Sequence, residues 1–192
     1  MFKRLFRRPQ PDAQVISKAP DPPACRTSAL VALGGHPELA LLFITPSDRD
    51  IGEGLDTWRW LPIAELTPIA VSAFGDVFFE GGQGVVMLDT IEGKLSQVAG
   101  DAANLVALLQ SEQARDELLL AGIVLRARQL GILLNSGECY DFKVSPVLGG
   151  TMTAEDVHAM SFLIKLNIAG QIHDQVRNLP PGTRINSVKM AD

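Results

Sequence analysis

The chain has 192 residues, of which 46% are hydrophobic and 20% charged, with a net charge of −5. This is enough for one ordinary domain and short of two, and the composition excludes a fibrous, collagen-like or wholly disordered chain. The charge is uneven: residues 1–27 carry six Lys/Arg against Asp12 and Asp21, a net of +4, which leaves −9 for residues 28–192. An acidic body argues against a nucleic-acid-binding surface and favours a basic partner.

Residues 1–27 read as a tail. Met1-Phe2-Lys3-Arg4-Leu5-Phe6-Arg7-Arg8 is basic but lacks the uninterrupted apolar run of a secretory signal. Residues 9–27 hold five of the twelve prolines, a linker composition that cannot bury a core. The tail is expected to be disordered, with a single domain over residues 28–192. Apolar residues between Ser28 and Thr45 are interrupted by Gly34-Gly35-His36-Pro37-Glu38, so no stretch spans a bilayer. Cytoplasmic residence is the expectation, with Cys25 and Cys139 as reduced thiols.

In the body, Glu38 to Thr45 is an apolar run closed by Pro46 and reads as a strand. Ser47 to Asp56 reads as an acidic loop, with Asp48, Asp50, Glu53 and Asp56 set against Arg49. Those four carboxylates, with Trp58 or Trp60 as an exposed aromatic anchor, form the candidate partner-binding site. The competing reading is a solvated turn with both tryptophans in the core.

From Pro68 to Gly100 the signal is β. Ile69-Ala70-Val71, Val77-Phe78-Phe79, Val85-Val86-Met87-Leu88 and Leu95-Ser96-Gln97-Val98 are short runs, and Gly81–Gly84 and Glu92-Gly93 supply hairpin turns. Phe74-Gly75-Asp76 reads as a turn. Helical spacing follows over Ala102, Leu105, Val106 and Leu109, with Asp101 as N-cap, and then over residues 112–130, ended by Gly131. Cys139 to Phe142 reads as a strand stopped by Pro146 and Gly149-Gly150. Alternating Met160, Phe162, Ile164 and Leu166 predict a half-buried strand, and Ala169, Ile172, Val176 and Leu179 a helix stopped by Pro180-Pro181-Gly182. The fold class expected is α+β: a mostly antiparallel meander with helices packed against it.

No catalytic residue, metal site or cofactor is assigned. Gly81-Gly82-Gln83-Gly84 lies between strands and lacks the following Lys-Ser/Thr of a phosphate loop. Cys139, His158 and His173 could form a thiolate–imidazole or metal site, but no local ligand spacing joins them. They define the alternative reading, a small-molecule or metal-dependent enzyme.

Several pieces occur in a specific order: Phe74-Gly75-Asp76-Val77-Phe78, Cys139-Tyr140 with Phe142-Lys143, Pro146-Val147-Leu148-Gly149-Gly150, Gly170-Gln171-Ile172-His173 with Gln175, and Leu179-Pro180-Pro181-Gly182-Thr183. From about Trp58 to Ile185 this set resembles the C-terminal domain of bacterial immunity proteins that neutralise DNase effectors of the type VI secretion system, a domain often joined to a GAD-like one. Two departures stand out: no GAD-like domain is evident, and Ser145 replaces the usual second proline before Pro146. The resemblance implies a non-enzymatic protein that binds a toxin stoichiometrically, with a basic nuclease as partner. The motif residues (Phe74, Gly75, Asp76, Cys139, Tyr140, Pro146, Gly149, Gly150, Gly170, Gln171, His173, Pro180, Gly182) are expected to define the fold, and loops to carry recognition.

Overall fold

Short apolar runs separated by glycine turns fold into the antiparallel meander that their pattern predicts. The computed structural model describes residues 37–180, 182–185 and 187–190. The tail 1–27, the domain start at Ser28, Cys25 and Pro181 lie outside the described residues. In chain order the elements are α1 (Pro37–Ala40), β1 (Phe43–Ile44), α2 (Asp48–Leu55), β2 (Thr67–Ser72), β3 (Val77–Gly81), β4 (Gly84–Asp89) and β5 (Lys94–Ala99). There follow α3 (Ala102–Leu108), α4 (Glu112–Leu119), α5 (Ala121–Gln129), β6 (Glu138–Phe142), β7 (Val157–Ser161) and α6 (Phe162–Val176).

Strands β1 to β5 lie side by side in sequence order, each antiparallel to the next. Gly81 faces Gly84 and Asp89 faces Lys94, which closes the two tight hairpins at the expected turns. The central strands read as continuous apolar runs because both faces of the sheet are covered. Phe78 packs in one core with residues of α3, α4 and α5 and with Tyr140 and Phe142 of β6. Its neighbours Val77 and Phe79 point the other way, into a second core with Ile51, Trp58, Cys139, Phe162 and Leu166. The class is α+β, as expected. Strands β6 and β7 form a separate two-stranded sheet, attached through the bond from Tyr140 N–H to the Ala73 carbonyl at 2.8 Å.

Five local expectations need correcting. Glu38–Thr45 is not one strand but helix α1 and the two-residue strand β1; Leu39 and Leu42, three apart, enter the core together. Ser47–Asp56 is not a loop. The Ser47 hydroxyl accepts the Asp50 N–H at 3.1 Å, Asp48 and Asp50 fall in the positive first turn, and helix α2 follows. Residues 112–130 form two helices, because Leu120 adopts a left-handed backbone (φ 51°) that ends α4 and starts α5. The alternation from Met160 to Leu166 straddles a boundary. Strand β7 stops at Ser161, whose side chain caps α6, and Phe162, Leu166 and Ile172 are buried at helical spacing. That helix ends at Val176 rather than Leu179.

Candidate functional site

Helix α2 has two working faces, and they divide the predicted site between them. Gly54 and the following Trp58 turn toward α6. A Cβ on Gly54 would lie 2.7 Å from Leu166 Cδ2, and one on Gly170 would lie 2.2 Å from Thr57 Oγ1 and 2.9 Å from Trp58 Nε1. Glycine at both positions permits the close crossing. Trp58 is fully buried and donates its Nε1–H to the Leu166 carbonyl at 2.9 Å. Its predicted role as an exposed anchor is therefore overturned: an indole this enclosed holds the two elements together. Trp60 is half-buried, stacked on Trp58 at 5.7 Å, with the Arg177 guanidinium 4.9 Å from its ring centre.

The other face of α2 forms one wall of an open groove of about 370 Å³. Asp48, Ile51, Gly52 and Leu55 recur at helical spacing along it, and Asp56 and Arg59 stand just beyond. Leu61, Ile63 and Leu66 form the opposite wall, with Pro68 and Phe79 of the sheet beneath. Of the four predicted carboxylates, Asp48 and Asp56 line this groove. Asp50 and Glu53 do not, since two- and five-residue offsets place them on another side of α2. Glu53 is bonded to Arg49 at 2.7 Å, and Asp56 to Arg59 at 2.6 Å. No sequence signal revealed the groove, because its walls come from three separate segments.

A buried polar network lies beneath α6. The Asp76 carboxylate accepts the Ser72 hydroxyl at 2.7 Å, the Thr90 N–H at 2.9 Å and the Thr90 hydroxyl at 2.8 Å. Lys165, only 2% exposed, donates to the Phe74 carbonyl at 2.6 Å and to the Thr90 hydroxyl. His173 lies 3.2 Å from the Thr90 carbonyl through Nε2 and 5.6 Å from the Trp58 ring. Burial lowers its pKa, outweighing its backbone bonds. A Cβ on Gly93 would come within 2.2 Å of His173 Nδ1, so the β4–β5 hairpin closes directly over the ring. Sequence reading missed Lys165 and Thr90 altogether.

The three residues of the enzyme alternative occupy separate roles. Burial pushes the Cys139 thiol up to about 12, so it stays protonated and unreactive at neutral pH. His173 belongs to the network just described, and His158 sits on β7 opposite Asp141. No hydrogen bond joins any two of the three among the described residues, and no cluster of three metal-ligating side chains occurs among them.

Phe74 with Tyr140, and Gly75 with Cys139, are in contact across the fold, while Pro146, Gly149 and Gly150 shape a local turn. Phe74 packs against Tyr140 and Phe142 with ring centres 5.7 and 5.2 Å apart. Gly75 (φ 80°) faces Lys165 and the Cys139 sulfur. Pro146 opens a 3-10 turn that Gly149 (φ 96°) ends, and a side chain on Gly150 would strike the Val144 carbonyl. Gln171 bonds Asn167 at 2.6 Å, and Pro180 accepts the Thr183 N–H at 3.1 Å around Gly182.

No helix among the described residues is long and apolar enough to cross a membrane. No curated protein matches the chain. A solved structure, the crystal structure of Atu4351 from Agrobacterium tumefaciens, is similar at 16% identity and a TM-score of 0.44, covering 79% of this chain and 83% of that one. That likeness is too distant to carry a functional argument. Residues 100–173, from the start of α3 to His173 in α6, match the family model described as T6SS immunity protein Tdi1, C-terminal. Over that stretch the chain resembles the C-terminal domain of a type VI secretion immunity protein.

Proposed function

We propose that this protein is a non-enzymatic, immunity-type inhibitor that binds a secreted bacterial nuclease toxin in the cytoplasm and blocks its active site. The match over residues 100–173 carries this reading. The acidic body supports the choice of partner. A nuclease presents a basic cleft to its substrate, and an inhibitor that competes for that cleft gains association rate and selectivity from opposite charge. The state of Cys139 and His173 supports binding rather than turnover. A thiol held protonated and a histidine bonded to a backbone carbonyl are poor nucleophile and base.

Co-expression tests the reading. Cells producing the product of the adjacent gene should be killed without this protein and survive with it, and the two should co-purify as a stoichiometric complex. Killing that is unaffected by this protein, with no complex recovered, would remove the immunity reading.

A further inference from the structure

We propose that the groove between α2 and residues 61–68 receives an apolar side chain of the toxin, and that a Lys or Arg beside it on the toxin meets Asp48 and Asp56. This rests on the immunity reading and names the surface through which it would act.

The groove differs from a small-molecule site in where its polar groups stand. Ile51, Ile63, Pro68 and Phe79 are buried, and Leu55, Leu61 and Leu66 are half-buried along the walls. No polar side chain lines its floor to orient a ligand. Its charges, Asp48, Asp56 and Arg59, lie at the rim. The two carboxylates outnumber Arg59, so the rim is net negative and disfavours a nucleotide or another phosphate. An apolar centre with Asp48, Asp56 and Arg59 at its rim, net negative, instead fits a protein segment with an apolar anchor and a basic flank. The Asp56–Arg59 pair is exposed on both sides, so a partner's cation can join or replace Arg59 at little cost.

Gly52 gives the groove its width. It lies inside α2 without a left-handed backbone, so its φ does not require glycine. A glycine in a helix interior is unfavourable by roughly 0.5–1 kcal/mol relative to alanine. Gly54 on the same helix is accounted for by Leu166. Gly52 lines the groove, and a side chain there would occupy the space an anchor needs.

The walls and rim lie within residues 48–79, outside the stretch that matches the family model. The groove can therefore select a particular toxin while the matched stretch, through α6, packs against the opposite face of α2.

The test uses the full chain with a nuclease-inactivated form of the toxin identified by the co-expression experiment. Gly52→Leu, which fills the groove, should weaken binding by about 100-fold, as loss of a central anchor does. Asp48→Asn/Asp56→Asn should slow association and flatten its salt dependence. Asp50→Asn/Glu53→Gln removes the same charge from the other side of α2 and should change both much less. Leu61→Gln serves as a second groove variant should Gly52→Leu fail to fold. Hydrogen exchange on the wild-type complex should show new protection across residues 48–68. Binding within about 3-fold of wild type by a folded groove variant, or protection confined to other segments, overturns the groove while leaving the immunity reading intact. Failure of the wild-type chain to bind overturns both. Protection of the groove in the free chain that vanishes when residues 1–27 are deleted would assign it to this chain's own basic segment and also overturn the proposal.

Discussion

The two sides of α2 solve opposite problems. Toward α6, most polar groups taken from water are paired: Trp58 with Leu166, Lys165 with Phe74 and Thr90, and Asp76 with Ser72 and Thr90, while the buried Trp60 Nε1–H has no hydrogen-bond partner. Toward the groove, apolar side chains stay half-open and the Asp56–Arg59 pair is exposed. Glycine serves each side differently. Gly54 and Gly170 let two backbones meet, whereas Gly52 lines the groove wall. A sealed region with its charges paired is a scaffold whose damage registers as lost stability. An open apolar region with a charged rim leaves folding almost untouched and registers in binding.

The largest effect should come from breaking the sealed side. Asp76→Ala strands the Ser72 hydroxyl, the Thr90 N–H and, through the Thr90 hydroxyl, the buried Lys165. Removing one member of a buried charged network costs about 3–5 kcal/mol. For a domain of this size the thermal midpoint should fall on the order of 10 °C, read by calorimetry or circular dichroism. Asp76→Ala/Lys165→Met should cost less than the two single changes added together, because the second removes a group the first left unpaired. Additivity would show that the network is a set of independent contacts.

The scaffold was partly legible in the sequence, and the groove was not. The meander could be read because β-branched runs and glycine turns are local signals. Asp76 was recognisable as a turn residue, but its partner Thr90 lies on the next hairpin and Lys165 on a distant helix. Lys165 also hid the start of α6. It puts a charged residue where the helical pattern demands an apolar one, while exposed Ile164, at 53%, completes a false alternation with Phe162 and Leu166. Helix α2 was concealed by Gly52 and Gly54, which argue for a loop until the structure shows what each one faces. The acidic quartet was located, yet only the helical phase of α2 separates Asp48 and Asp56 from Asp50 and Glu53.

A smaller effect should follow from pH. His173 has its pKa lowered in the fold by burial, so the unfolded chain binds its proton more readily. Stability from this residue is fully present above its ordinary value near 6.5 and is lost as pH falls from there through the lower folded value. The slope cannot exceed one proton, about 1.4 kcal/mol per pH unit. Asp89 acts in the opposite sense, since burial and the nearby Asp76 raise its pKa. The difference between wild type and His173→Gln across pH 5–8 isolates the histidine. A flat difference would mean that the ring accepts a proton inside the fold as readily as outside it.

The smallest change sharpens the comparison most. Gly52→Ala adds one methyl group to a helix position whose backbone is already helical, and it should raise stability by about 0.5–1 kcal/mol. The same substitution at Gly54 meets Leu166 at 2.7 Å and should destabilise, because the side chain has nowhere to go without moving packed atoms. Two glycines two residues apart on one helix should therefore respond with opposite signs in chemical denaturation. A gain at Gly52 would mean that stability is forgone there, in keeping with a position that serves binding. A loss at both would mean that the groove wall is packed as tightly as the helix crossing, and the distinction between scaffold and open surface would fail at the residue that defines it.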